Sequence, residues 1–337
     1  MDWFETLTGF RETGYNETRA KLKVDGRQLR SLVNGECYGI GELELVSLQA
    51  LRERVGSSDG LAGRLKTNVV TGDVRQMHRL PENAGALFQV ASQFNLLEMV
   101  GPDVTPEKGV TIYQHDHTQG PACAIAAGAA TIYRNYFAPT GGGYGQTEDR
   151  QLDGLADLGL ALGEALNKPV GALWEMRNGY ALCTSAGLDA ISALLGKLSP
   201  DQVDALRGKL RIGIHGDVAV TDAEGEPSPV VSQAFCSALP VAYSRVAPAH
   251  WKPFASLVLE AAYEASMLAA VLNMQRGGSN VVLLTLLGGG AFGNADDWIH
   301  GAIRRALIMM SGFALDVRLV SYREPSFAIQ QLMRVFD

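Results

Sequence analysis

The chain has 337 residues, 47% of them hydrophobic and 19% charged, with a formal net charge of −7. That length and composition support a large buried core and suit one elaborated domain or two. The acidic balance and the lack of any Lys/Arg run argue against a nucleic-acid-binding surface, because polyphosphate backbones are held by clustered cations. A small anion held by backbone amides stays compatible.

Met1-Asp2-Trp3-Phe4-Glu5 lacks a basic n-region and an apolar h-region. The longest apolar run, near 281–287, is too short to cross a bilayer, so a cytoplasmic protein with no membrane partner is expected. Cys37, Cys123, Cys183 and Cys236 are widely spaced in apolar surroundings and read as small buried residues, not as a disulfide or zinc framework.

In chain order, Leu43, Leu45, Leu48, Leu51 and Val55 approximate a helical stripe over 43–55. Lys66-Thr67-Asn68-Val69-Val70-Thr71-Gly72-Asp73-Val74 reads as a strand ending in a glycine turn with an acid at the sheet edge. A turn at Leu80-Pro81-Glu82-Asn83 leads to a second strand over 86–95, which runs into amide residues and ends at Asn95. Residues 101–109 read as an exposed loop. Asp116-His117-Thr118-Gln119-Gly120-Pro121 then opens a helix of small residues over 122–130, with Thr118 or Gln119 near its cap and Pro121 in its first turn. That helix start favours negative charge.

Residues 139–146 read as a flexible loop, 152–166 as a helix, 179–184 and 210–215 as strands, and 188–198 as a helix. Ser199-Pro200-Asp201 should start another helix. A hairpin loop over 218–229, a strand over 230–238 and a long helix over 251–275 follow. An apolar strand then runs into Gly288-Gly289-Gly290-Ala291-Phe292-Gly293-Asn294 and a helix over 298–311, which Asn294 or Asp296 can cap. The last strand covers 315–321. Unpaired N–H groups of the glycine loop and helix start make a concavity suited to a diphosphate; a tight turn between packed elements is the alternative reading. Alternating strands and helices predict a mixed or parallel sheet covered on both faces, with ligands beyond the strands' carboxyl ends.

Three of these stretches, in this order, resemble the macrodomain, the ADP-ribose-binding α/β/α fold. Residues 68–74 resemble its early strand ending in Gly-Asp-Ile, which implies that Asp73, with Val74, contacts adenine. Residues 86–95 stand where the family's ribose-holding asparagine lies, implying Asn95 in that role. Gly288, Gly289, Gly290, Ala291, Phe292, Gly293 and Asn294 are similar to the loop that wraps the diphosphate. The usual glycine-rich loop after the second strand is replaced by Leu96-Leu97-Glu98-Met99. Asp116 to Pro121 is similar in position to the acidic signature of the poly-ADP-ribose glycohydrolase branch.

The resemblance covers roughly 65–322. It implies a three-layer α/β/α mixed sheet, elaborated by a long insertion and by an extension over 1–64, with 65–337 as one compact unit. It also implies a hydrolase that releases ADP-ribose from ADP-ribosylated protein; the alternative is a non-catalytic ADP-ribose reader. Such hydrolysis needs a carboxylate beside an oxocarbenium-like centre. Asp116 is the first candidate, with Asp103 and Glu98 behind it and Thr118 and Gln119 as ligand contacts. His115 and His117 have no third ligand at a recognisable spacing, so no metal and no cofactor is expected. A dehydrogenase-like dinucleotide fold ranks last, because no strand-GxGxxG-helix unit is present.

Overall fold

A computed structural model describes residues 1–56, 63–225 and 227–336 of the chain. Seven strands form the main sheet: β1 (Glu42–Ser47), β2 (Lys66–Thr71), β3 (Leu87–Ala91), β4 (Arg211–Ala219), β5 (Val230–Cys236), β6 (Val281–Leu284) and β7 (Asp316–Ser321). Their order is β1-β4-β5-β3-β6-β7-β2. The five from β5 to β2 run parallel, whereas β4 is antiparallel to both β5 and β1. Every residue of β6 is buried, as expected of a parallel strand covered on both faces. The edge strand β1 is mostly half-buried or exposed.

Helices that bear on the sheet and site include α1 (Leu48–Gly56), α2 (Val74–Arg79), α3 (Gln119–Ala126), α4 (Gly128–Tyr136), α5 (Pro248–Gln275) and α6 (Asp296–Met309). The period-2 alternation of the strands sorts their side chains between two cores. Leu87, Val282, Leu284, Val317 and Leu319 join the core built with α1, α5 and α6. Phe88, Val90, Val281, Leu283 and Val320 join the core built with α2, α3 and α4. The three-layer α/β/α arrangement expected from the sequence is therefore present. Within the insertion, helices Ala156–Leu166, Ser185–Leu195 and Pro200–Gly208 and the hairpin Trp174–Arg177/Tyr180–Cys183 extend the α5 side.

Several expectations need correction. The stripe over 43–55 is a strand followed by a helix: Leu43 and Leu45 pair with β4 in β1, and only Leu48, Leu51 and Val55 lie on α1. Residues 42–56 therefore belong to the main sheet and one covering layer. The segment before them forms helices Trp3–Thr8 and Tyr15–Ala20 and a three-stranded sheet, Leu22–Asp25, Gln28–Ser31 and Cys37–Gly39. It packs on α3 and α4 through a third core that includes Phe4, Tyr15, Leu29, Tyr113, Ile125 and Tyr136.

The small-residue helix divides at Ala127, at φ −113 and ψ 57, into α3 and α4. The loop over 139–146 contains a short hairpin. Among the described residues, α5 is the one helix long and apolar enough to cross a membrane, a feature that the run-length reading overlooked. Of its most apolar window, 83% is buried inside the protein, as the core of the sheet's covering layer.

Candidate ligand cleft at the carboxyl ends of the strands

The parallel strands end together at Thr71, Ala91, Cys236, Leu284 and Ser321. Loops at that edge enclose two adjoining cavities, of about 150 Å³ and about 490 Å³, both bordered by Asp116, Thr118, Gln119, Thr285, Leu286 and Gly290. The smaller is also lined by Gln93, Glu98, Tyr180, Tyr243 and Phe292. The larger is lined by Asp73, Val74, Arg75, Ser321 and Tyr322. This edge of a parallel sheet is where open α/β folds bind ligands.

The glycine loop is anchored at its base. Tyr263 donates its hydroxyl to Thr285 O (2.6 Å) and accepts from Leu287 N (2.9 Å). Gly293 N–H donates to Gly290 O (3.1 Å) and Asn294 N–H to Gly288 O (2.9 Å). Gly288 sits at φ +76, and a Cβ there would lie 2.5 Å from Ala238 Cβ, so glycine is required twice over. Among the described residues, the N–H groups of Gly290, Ala291 and Phe292 have no protein acceptor. All three residues line the smaller cavity, which gives it donors for an anion.

Gly289, Gly293 and Asn294 line neither cavity and shape the loop instead. Asn294 is buried and donates to Leu239 O (2.9 Å). It does not cap α6, whose N-cap is Ala295 with no side-chain bond, while Asp296 lies inside the helix.

The start of α3 forms the opposite wall. Asp116 Oδ1 accepts from Thr118 N (2.8 Å). The Gln119 side chain ties α3 to β3, accepting from Ala91 N and donating to Gln89 O, each at 2.8 Å. At Gly120 a Cβ would stand 2.0 Å from Ala91 O and 2.9 Å from Glu98 Cγ, so this helix start presses on both the strand end and Glu98.

Glu98 is the chemically unusual group. It is 2% exposed, and neither carboxyl oxygen has a hydrogen-bond partner among the described residues. Its nearest cation is Arg134, at 4.0 Å. Burial pushes the Glu98 carboxyl up to about 8, with Arg134 pulling it down and Asp116 pushing it further up. At neutral pH the group is therefore mainly a protonated acid.

Arg134, also fully buried, donates to Leu96 O (3.2 Å) and Thr131 Oγ1 (2.9 Å), contacts His215 Nδ1 (3.4 Å), and lies 3.8 Å from the centre of the Phe235 ring. Burial, with the Arg134 charge added, holds His215 well below the usual imidazole range. The loop carrying Glu98 is held tightly. Gln93 accepts from Met99 N (2.9 Å) and donates to Met99 O (3.2 Å), and Leu96 is kept at φ +65, a costly conformation for a branched residue.

Asp73 caps α2 by accepting from Arg75 N (2.8 Å) while bordering the larger cavity with Val74. Asn95 and Asp103 do not reach the cleft. Asn95 is fully buried, accepts from Leu97 N (3.1 Å) and donates to Gln151 (2.8 Å). Asp103 is exposed and pairs with Arg177 at 3.0 Å, because its turn projects outward.

Phe292 meets Tyr180 and Tyr243 in an aromatic wall, with ring centroids 5.3 and 5.8 Å away. Neither tyrosine was among the expected site residues. Tyr180 is brought in by the Asn178-Gly179 turn, where both residues have positive φ and Gly179 O accepts from Phe94 N (3.0 Å). That Asn-Gly pair is a readable hairpin signal, but it does not indicate docking on residues 93–95. Arg134, a lone cation in an apolar stretch, was the other visible sign.

No family model and no curated protein matches the chain. Among solved structures it is similar to poly(ADP-ribose) glycohydrolase from Deinococcus radiodurans in complex with ADP-ribose, at 14% identity and a TM-score of 0.45, covering 87% of this chain and 92% of that one. It is also similar to the glycohydrolase from Thermomonospora curvata, at 12% identity and a TM-score of 0.43, covering 94% of each chain. For the form of that enzyme bound to the inhibitor ADP-HPD the values are 12% and 0.42, with 94% and 93% covered.

Proposed function

We propose that this protein hydrolyses an ADP-ribosyl bond, with ADP-ribose lying along the two cavities. The observation that carries the reading is Glu98, a carboxyl buried at the cavity wall without a hydrogen-bond partner and raised to about 8. Such a group is a proton donor at neutral pH. In this reading the diphosphate lies against the N–H groups of 290–292, adenine occupies the larger cavity beside Asp73, and the distal ribose enters the smaller one beside Phe292.

Glu98 gives its proton to the leaving atom as the bond from the anomeric carbon breaks. Water adds to that carbon and passes its proton to the Asp116 carboxylate, and solvent restores both carboxyls. The second reading, a non-catalytic ADP-ribose reader, is favoured by one observation: an Asp116 oxygen is already engaged by Thr118 N–H. Calorimetry with ADP-ribose, followed by release assays on arginine-, glutamate- and serine-linked ADP-ribosyl proteins, separates the two. Binding with release means hydrolase, binding without release means reader, and no binding removes both.

A further inference from the structure

We infer that the N-terminal segment is part of the reactive site, and that Glu12 is a positioning residue which fixes Glu98 and Asp116 through one shared turn. This inference rests on the hydrolase reading above. Glu12 lies outside the main sheet and lines neither cavity, yet its carboxylate accepts three hydrogen bonds from the core of the protein. Oε1 accepts from Val110 N (2.9 Å) and from the Tyr136 hydroxyl (2.7 Å), while Oε2 accepts from Thr111 N (2.7 Å). Room for this contact comes from Gly109, at φ +81, where a Cβ would stand 2.4 Å from the Glu12 carboxyl carbon. A half-buried carboxylate engaged by two adjacent amides and a phenol leaves the backbone at 110–111 little freedom.

The turn it holds, Thr111–His115, leads to both candidate carboxylates. Tyr113 within it is completely buried, and its hydroxyl accepts from the Glu98 backbone N–H at 3.1 Å. Its carbonyl accepts from Asp116 N at 3.1 Å, and the Asp116 side chain then accepts from Thr118 N at the start of α3. The path from Glu12 therefore runs through Val110 and Thr111 to Tyr113, and from Tyr113 to Glu98 on one side and Asp116 on the other. The glycine loop and Asp73 itself lie off this path, although Gln114 of the turn borders the larger cavity and Asp116 borders both. Loss of Glu12 should thus misplace the reacting carboxyls and leave ligand affinity nearly intact, since a displacement of about 1 Å is enough to slow a positioned reaction.

The test uses the full chain, the parent, Glu12→Gln, and Glu17→Gln as a control at an exposed carboxylate that bonds Lys21 and Thr13 and not the turn. Glutamine keeps the shape but turns one accepting oxygen into a donor facing an amide. For Glu12→Gln we expect amide exchange at Val110, Thr111 and Glu98 to quicken by about tenfold or more. Turnover should fall by about tenfold to a hundredfold, with the Kd for ADP-ribose within about twofold of the parent. Glu12→Asp should recover part of the rate, and Glu17→Gln should behave as the parent.

Unchanged exchange at these amides overturns the inference whether or not the protein is a hydrolase. So does faster exchange with parental turnover, or a parallel loss of turnover, affinity and Tm. Failure of the parent to release ADP-ribose from any linkage sinks the hydrolase reading, and the inferred effect on reaction with it. The exchange data then still decide whether Glu12 holds the turn.

Discussion

Glu264 on one side of the sheet and Glu98 on the other are equally hidden from solvent but oppositely treated. Glu264, in α5, is completely buried, and both its oxygens are claimed: Arg52 donates to them at 2.5 and 2.9 Å and Arg305 at 2.5 Å. Asp204 bridges the same two arginines at 2.8 and 3.1 Å. Among the described residues Glu98 has only Arg134, at 4.0 Å, and that guanidinium is itself occupied by a carbonyl, a hydroxyl and an aromatic face. A buried carboxylate costs several kcal/mol in desolvation, which close cations offset or protonation avoids. The first solution joins helices together; the second leaves a protonated carboxyl beside a cavity.

The largest expected effect tests this division at its functional end. Glu98→Gln should lower release of ADP-ribose by about 10² to 10⁴, the usual size of a general acid contribution, while calorimetric affinity changes only a few-fold. Parental turnover in this variant would break the comparison and move the acid role to Asp116. Stability should stay level or rise, because glutamine is buried neutral without having to take up a proton.

Glu264→Gln should do the reverse. It strands Arg52 and Arg305 beside a neutral group, and loss of one partner of a buried ion pair typically costs about 3–5 kcal/mol. Urea unfolding should show that loss, and the protein that remains folded should turn over at the parental rate. A reduced rate per folded molecule would mean that the two sides of the sheet are coupled.

The pH dependence of stability sharpens the contrast. With its pKa raised from 4.5 to about 8, Glu98 binds more protons in the native state than in the unfolded one between those values. Its contribution is therefore complete below about 4.5 and is lost as pH rises through about 8. Chemical unfolding from pH 5 to 9 should show less of this decline in Glu98→Gln than in the parent. His78 acts in the opposite direction: burial lowers it from 6.5 to about 4, so stability is lost on acidification across that window. Equal alkaline slopes for the parent and Glu98→Gln would mean that Glu98 is ionised when buried.

Periodicity made the layered sheet legible because β6 and β3 are short, mostly apolar runs and β7 alternates polar and apolar residues, each bounded by glycine, polar turns or helices with clear stripes. The same signal failed at 43–55, where apolar residues spaced by two and then by three cross a strand-helix junction without a glycine or proline to mark it. Within the cleft, Asp73 and the glycine loop stood out because each sits where a strand meets a helix, and Asp116, Thr118 and Gln119 because they open a helix of small residues. The special status of Glu98 was not legible beyond a weak candidacy, because it arises from tertiary packing. Gly120 must press on it, Arg134 must arrive from α4, and Tyr113 must hold its amide. Asn95 misled for the same reason: the strand expected to end there stops at Ala91, and an amide gives no sign that Gln151 and Leu97 N–H will consume it.

Adjacent glycines give the finest test of the boundary between the two sides. A Cβ at Gly290 would meet nothing within 4 Å, and Gly290 borders both cavities, so a side chain there enters the cleft. A Cβ at Gly289 would instead stand 3.1 Å from Ile299 Cδ1, in the core of the α5 and α6 layer. Gly290→Val should therefore raise the Kd for ADP-ribose by about tenfold, about 1.4 kcal/mol, at unchanged Tm. Gly289→Ala should leave Kd alone and cost about 1 kcal/mol or less, since the Ile299 side chain can shift by a few tenths of an ångström. Calorimetry and thermal unfolding on the same two preparations read both quantities. If Gly290→Val binds ADP-ribose as the parent does while remaining folded, the ligand does not pass over this loop, and the diphosphate must be sought at the α3 start alone.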